Sequence, residues 1–281
     1  MHRVIQHRQR FLARRDGELD VEPLAPCAPY RAPHFVDEAM RELRKVMKNT
    51  EMPHQYGLEV STTLDLELQE RAEDALRSKS RSPDDSQAAF VALDPSTGAV
   101  RALVGSENYA KSPFNRVFLS SRAAGSVVKP IVYLAALVDG VVTPSTRISD
   151  EPPERTIKPT DPSFRDDGLK NDSKASRSNV SVHDCLKDSL NVPTMKLGDI
   201  VGIEAVQNMA RRLGLTSSKL PNALSLTLGS CNVTPFELAC AYGTFAAKGV
   251  RMEPHFIASM RRPGAGLLGT RKVLYKAKPI G

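Results

Sequence analysis

The feature that most limits what this chain can fold into is the run from Val127 to Val138, which is apolar apart from Lys129 and opens directly after Ser126. Ser126 and Lys129 stand three apart, which on a helix puts a hydroxyl and an amine on one face, one turn apart. Val127, Val128, Ile131, Val132, Leu134, Ala135 and Leu137 make the helix apolar almost all round, so it belongs inside a domain. A lysine in such a place must be hydrogen-bonded or neutral. The positive end of the helix dipole and burial both disfavour its charged form, so Lys129 is expected neutral near pH 7 and able to take the Ser126 proton. That is the serine–lysine form of an activated nucleophile. Gly125 is expected to let another chain or a ligand approach the backbone, and Pro130 to remove one helix hydrogen bond and free a carbonyl near the site. The plain alternative is a buried helix with a serine cap and a surface lysine, since S-x-x-K arises readily by chance. Against it, this is the only S-x-x-K in the chain.

With 281 residues the chain can hold one large domain or two small ones, and 41% hydrophobic with 25% charged residues is the composition of a globular protein. No run reaches the ~20 apolar residues of a membrane span. The basic start, Met1 to Arg10, leads into no apolar stretch, so no signal peptide is visible. Read literally, that places the chain in the cytoplasm. Arginines in the first fifteen residues supply much of the net charge of +7, and a solvated basic arm explains them. Nucleic acid is a poor partner for a chain with no Trp, 5% aromatic residues and no nucleic-acid motif. Cys27, Cys185, Cys231 and Cys240 have neither metal-ligand nor Cys-x-x-Cys spacing, so no metal and no cofactor are expected; Cys185 and Cys240 read as buried thiols.

Along the chain, residues 1–35 read as an arm or linker, Arg-rich and then rich in Pro. Val36, Met40, Leu43 and Met47 predict an amphipathic helix over 35–47, acidic early and basic late. Gly57 to Thr63 predicts a strand, and Asp65 the cap of a helix to about Arg77. Ser80 to Ser86 is a polar loop; Ala88–Leu93 and Ala99–Val104 form a hairpin around Asp94-Pro-Ser-Thr-Gly98, both strands buried. Residues 139–180 look irregular. Ser181 is placed to cap a short helix ending at Ser189-Leu-Asn191, and Asn191 to cap the next. A serine and an asparagine at such a junction can also point into a cleft, the first to relay a proton and the second to bridge Lys129 and a peptide group. Ser106-Glu-Asn108 and Ser230-Cys-Asn232 share the S-x-N pattern, so the pattern alone selects nothing. A helix is expected over 203–213 and another behind a capping box at Thr234-Pro-Phe-Glu237, stopped by Gly249, with strands at His255–Met260 and Lys272–Tyr275.

Ser112-Pro-Phe-Asn-Arg116, Gly125-Ser-Val-Val-Lys-Pro130 and Tyr133-Leu-Ala-Ala-Leu137 resemble the active-site region of class A, bifunctional penicillin-binding proteins. Ser189-Leu-Asn-Val-Pro-Thr-Met-Lys-Leu-Gly198 resembles their second transpeptidase motif, which chooses Ser189 and Asn191 over the other S-x-N matches. Ala32-Pro-His-Phe-Val-Asp37 and Val60 to Gln69 resemble their inter-domain linker, and Leu228 to Ala239 with Ala241 to Ala246 resembles a helix behind the site. The resemblance implies an α+β fold of the β-lactamase/transpeptidase type, an antiparallel sheet flanked by helices. It implies an arm and linker over 1–52 and a partial transpeptidase domain over 53–281. The implied roles are Ser126 nucleophile, Lys129 general base, Ser189 proton relay and Asn191 substrate contact, acting on the D-Ala-D-Ala end of a peptidoglycan stem peptide or on a β-lactam. The implied place is the outer face of the inner membrane, through an N-terminal anchor this chain does not carry. The family's third motif, Lys-Thr-Gly or Lys-Ser-Gly, is absent, as is its Trp-x-Pro-x-Asn patch, for which Ile157-Lys-Pro159 is the only match. A C-terminally incomplete sheet is therefore expected, and a catalytically silent fragment or interaction module is the competing reading. A serine β-lactamase or D,D-carboxypeptidase fits the linker resemblance less well.

Overall fold

A computed structural model describes residues 31–47, 59–79, 87–151, 178–261 and 267–270. The basic arm as far as residue 30, with Cys27, lies outside the described residues, as do the Ser80–Ser86 loop, the Ile157-Lys-Pro159 segment and the strand expected at Lys272–Tyr275. The described residues form two compact units. One takes the chain up to Val117 and from Met252; the other takes Phe118–Arg251.

In the first unit, α1 (Pro33–Val46) starts with proline in its first turn, where a missing N–H costs nothing. It buries His34, Phe35, Glu38, Ala39 and Leu43 along one stripe and carries Arg44 and Lys45 in its last turn. β1 (Glu59–Thr62) leads to α2 (Leu66–Lys79), whose first turn donates two backbone N–H groups to Asp65 Oδ1, as expected for its cap. β2 (Phe90–Leu93) and β3 (Val100–Val104) are the expected hairpin. In its turn, the Ser96 hydroxyl and backbone donate to Asp94, with Arg101 helping, and lower the carboxyl pKa to about 2. Only β3 is buried; β2 is half-buried throughout. α2 packs Ala72 and Leu76 against Val104, and Gln69 caps the hairpin by exchanging two hydrogen bonds with the Leu103 backbone.

β8 (Ile257–Arg261) lies between β1 and β9 (Leu267–Thr270) in a separate antiparallel sheet. The expected strand at 255–260 is β8; β9 was not foreseen. The two ladders meet where Ala99 bridges His255 and where Thr63 Oγ1 donates to the Val100 carbonyl. The Ser112–Arg116 motif sits at the far end of β3, with buried Asn115 donating to Glu38 of α1 at 3.1 Å.

The second unit is mainly helical. A turn, α3 (Arg116–Leu119), leads from the first unit to β4 (Arg122–Ala123), a 3₁₀ turn at Gly125–Val128, and α4 (Lys129–Val138). α4 is the centre of the core, burying Ile131, Val132, Tyr133, Ala135 and Ala136. It is not buried on every side: Leu137 and Val138 are exposed, as is Val127 in the turn before it. β5 (Arg147–Ile148) pairs with β6 (Val180–Ser181), and Ser181 caps α5 (Val182–Lys187) by accepting from the Asp184 N–H. α6 (Asn191–Val201), α7 (Ile203–Leu213) and a 3₁₀ turn at Leu224–Leu228 pack round α4. β7 (Asn232–Val233) pairs with β4, and α8 (Pro235–Ala246) opens on the expected capping box of Thr234 and Glu237. α8 ends at Ala246, and Gly249 closes the turn beyond it with a left-handed φ of 88°. Cys185 and Cys231 are buried, whereas Cys240 is only partly so.

Candidate active site

Ser126 lies in the 3₁₀ turn, not yet in the α-helix, and its carbonyl accepts the Lys129 N–H that closes the turn. Residues i and i+3 eclipse in 3₁₀ geometry, so the turn aligns the two side chains more closely than an α-helix would. Ser126 is exposed, while Lys129 is 1% exposed although it opens a helix. Its ammonium donates to the Asn191 side-chain oxygen at 2.6 Å, the Ser189 carbonyl at 2.5 Å and Ser189 Oγ at 3.1 Å. Two of these acceptors are carbonyl oxygens, which can only accept, and the third is a hydroxyl, which can also donate. The same set therefore satisfies the ammonium, through three donations, and the amine, through two donations and one proton accepted from a hydroxyl.

Asn191 does not cap α6 as expected. The residue before it, Leu190, holds the cap position without a side-chain bond, and the Asn191 amide turns to Lys129 instead. Ser189 explains how. It has a left-handed backbone, φ 54°, at the residue just past the end of α5. The Ser189 N–H goes back to the Leu186 carbonyl and the Leu190 N–H to the Cys185 carbonyl, which is a Schellman closure. Glycine usually holds that position, because a left-handed turn costs other residues about 1–2 kcal/mol. Here a serine keeps it, and both its hydroxyl and its carbonyl face Lys129.

The other S-x-N matches are elsewhere: Ser106 donates to the Ser112 carbonyl, and Ser230 to Ser225 Oγ. Close approach at the Ser126 turn comes from a glycine that the sequence did not single out. A Cβ on Gly229, φ 83°, would stand 2.1 Å from the Gly125 carbonyl oxygen and 2.3 Å from its nitrogen, whereas a Cβ on Gly125 would meet nothing. Gly125 and Ala124 donate in turn to the carbonyls of Gly229 and Cys231, extending the β4–β7 pairing to the doorstep of Ser126. Tyr133, one turn beyond Lys129, shares a 3.1 Å hydrogen bond with Thr194, and Thr194 donates to the Leu190 carbonyl. Burial raises the Tyr133 phenol well above its ordinary pKa, so it serves as a fixed strut between α4 and α6.

Residues 88–279 match the family model described as the penicillin-binding protein transpeptidase domain. The chain belongs to that family. Among relatives of this transpeptidase domain, penicillin-binding protein 2D of Bacillus subtilis (strain 168) is 33% identical over 263 residues, 91% of this chain but 38% of that protein. Penicillin-binding protein 1A of Aquifex aeolicus (strain VF5) is 36% identical over 174 residues, 62% of this chain and 23% of that protein. The chain thus spans well under half the length of these curated relatives. Among solved structures, PonA1 of Mycobacterium tuberculosis in complex with penicillin V superposes with a TM-score of 0.75 at 23% identity, over 89% of this chain and 68% of that one. The ceftriaxone acyl-enzyme of penicillin-binding protein A from M. tuberculosis gives 0.63 at 25% identity, over 82% and 59%. These likenesses establish the α+β transpeptidase fold that the motifs implied. Among the described residues, no helix is long and apolar enough to cross a membrane.

Proposed function

We propose that the site is the nucleophile-and-base half of a D,D-transpeptidase centre that works on peptidoglycan stem peptides at the outer face of the membrane. The observation that carries this reading is Lys129: a buried amine one 3₁₀ turn from an exposed serine, held by Ser189 and Asn191. Ser126 Oγ attacks the carbonyl of the D-Ala-D-Ala bond while Lys129 takes the hydroxyl proton. The C–N bond breaks, and Ser189 passes the proton to the departing D-Ala amine. The amine of a second stem peptide then attacks the acyl-serine and releases Ser126. In a β-lactam the broken C–N bond lies in the ring, so the amine stays attached and the acyl-enzyme persists. Asn191 bridges Lys129 and the peptide group of the bound strand.

A second reading, that these 281 residues are catalytically silent on their own, is favoured by one feature: neither Lys-Thr-Gly nor Lys-Ser-Gly occurs among them. In the resembled enzymes that motif binds the substrate carboxylate and lies beside the oxyanion hole, where losing one donor costs on the order of 10²–10³ in rate. Labelling the purified chain with fluorescent penicillin, and locating the adduct by mass spectrometry, separates the two. An adduct on Ser126 is the expected result. A folded chain that takes no label would support the silent reading.

A further inference from the structure

Pro130 follows Lys129 directly and has no N–H, so it offers no donor to the Val127 carbonyl three residues back. That carbonyl belongs to the turn that carries Ser126. The Tyr242 hydroxyl, from the middle of α8, donates to it at 2.9 Å. The Tyr242 ring packs edge-on against Phe245 with centroids 5.8 Å apart.

Resting on the reading of Ser126 as nucleophile, we infer that Tyr242 is a positioning residue for acylation: its hydroxyl replaces the backbone donor that Pro130 removes and so holds the Ser126 turn in register with Lys129. Val127 and Ser126 are exposed, so on their side of the turn the Tyr242 hydroxyl is the contact; the rest of the bracing comes from Val128, buried in the core, and from the backbone bonds of Ala124 and Gly125 to Cys231 and Gly229. A nucleophile must be held within a fraction of an ångström of its base, so a turn that frays lowers the acylation rate without changing what the cleft binds. Tyr242 reaches the turn through a backbone carbonyl, that of Val127, which separates its role from that of the groups that move the proton.

The test compares Tyr242→Phe, Pro130→Ala and the double variant, by β-lactam acylation kinetics and by hydrogen exchange of the Lys129 amide. Tyr242→Phe is expected to slow the acylation step about tenfold, with the apparent dissociation constant of the β-lactam and the melting temperature nearly unchanged. It is also expected to speed exchange of the Lys129 amide, which closes the turn. Pro130→Ala returns a backbone N–H, so in that background the Tyr242→Phe losses should shrink in both measurements. Unchanged exchange in Tyr242→Phe overturns the inference, whatever the acylation rate does. So does a loss that Pro130→Ala leaves in full. If the parent chain takes no label, the transpeptidase reading fails on its own; exchange then decides, faster exchange supporting Tyr242 as the brace of the turn and unchanged exchange rejecting it.

Discussion

Ser126 and Ser189 place opposite demands on their backbones, and their substitutions should differ accordingly. Ser126 is exposed at the tip of a 3₁₀ turn, so Ser126→Ala should change stability by less than about 0.5 kcal/mol while abolishing the penicillin adduct, read by gel fluorescence and thermal melting. Ser189 sits at φ 54°, where a Cβ is strained. Ser189→Gly and Ser189→Ala should both slow acylation, because each removes Oγ. Ser189→Gly should be more stable than Ser189→Ala by up to about 1 kcal/mol, since only glycine relieves the left-handed strain. Urea denaturation of the pair measures the difference; equal stabilities would mean that the position is not strained. Lys129→Met keeps the buried stem but withdraws the donor from the Ser189 and Asn191 carbonyls, and should cost about 1–3 kcal/mol along with all acylation.

Among elements, two glycines mark where the second unit is packed most tightly. Gly198 lets α6 lie against the Leu224–Leu228 turn: an added Cβ would be 2.2 Å from Thr227 Cγ2. Gly198→Ala meets a side-chain methyl that can shift, so it should cost about 1–3 kcal/mol and leave labelling of Ser126 detectable. Gly229→Ala meets the Gly125 backbone and also forces an alanine to φ 83°. The two penalties together come to about 2–5 kcal/mol, and labelling should vanish because the obstructed atoms adjoin Ser126. Melting temperatures and gel fluorescence of the two variants, side by side, check the contrast.

For the whole molecule, acid should loosen the two units in turn. In the first, His34 is buried with Nε2 unpartnered and its ring edge-on to Tyr109. Burial lowers its pKa below 6.5, against the pull of Asp37 and Glu73 and with the push of Arg116. The unfolded chain therefore binds the proton first, and the stability His34 confers is complete above pH 6.5 and is lost as the pH falls below it. In the second unit, burial alone would raise Glu237, but donors from Ser217, Ser218 and Thr234 outweigh it and leave the pKa below 4.5. That contribution is present above pH 4.5 and is lost only as the pH falls through the lowered folded pKa. Hydrogen exchange between pH 7 and 4 should show α1 loosening well before α8, and His34→Phe should remove the early phase. Simultaneous loosening of both helices would refute the order.

Periodicity, caps and turn residues are local properties, so the amino-acid sequence determined α1, α2, the β2–β3 hairpin, α7 and the α8 capping box to within a few residues. It also set Ser126 and Lys129 three residues apart, and its motifs named Ser189 and Asn191, which hydrogen-bond Lys129. Contacts between distant segments leave no periodic trace, and there the tertiary structure decided. It gave Asn191 to Lys129 instead of to the end of α6, put a serine where a helix closure favours glycine, and separated β8 and β9 from the hairpin. It assigned the close approach to Gly229 instead of Gly125, and it filled the carbonyl left open by Pro130 with a hydroxyl more than a hundred residues away, at Tyr242. Each of these answers a polar group or a missing Cβ whose partner is supplied only when the chain has folded back on itself.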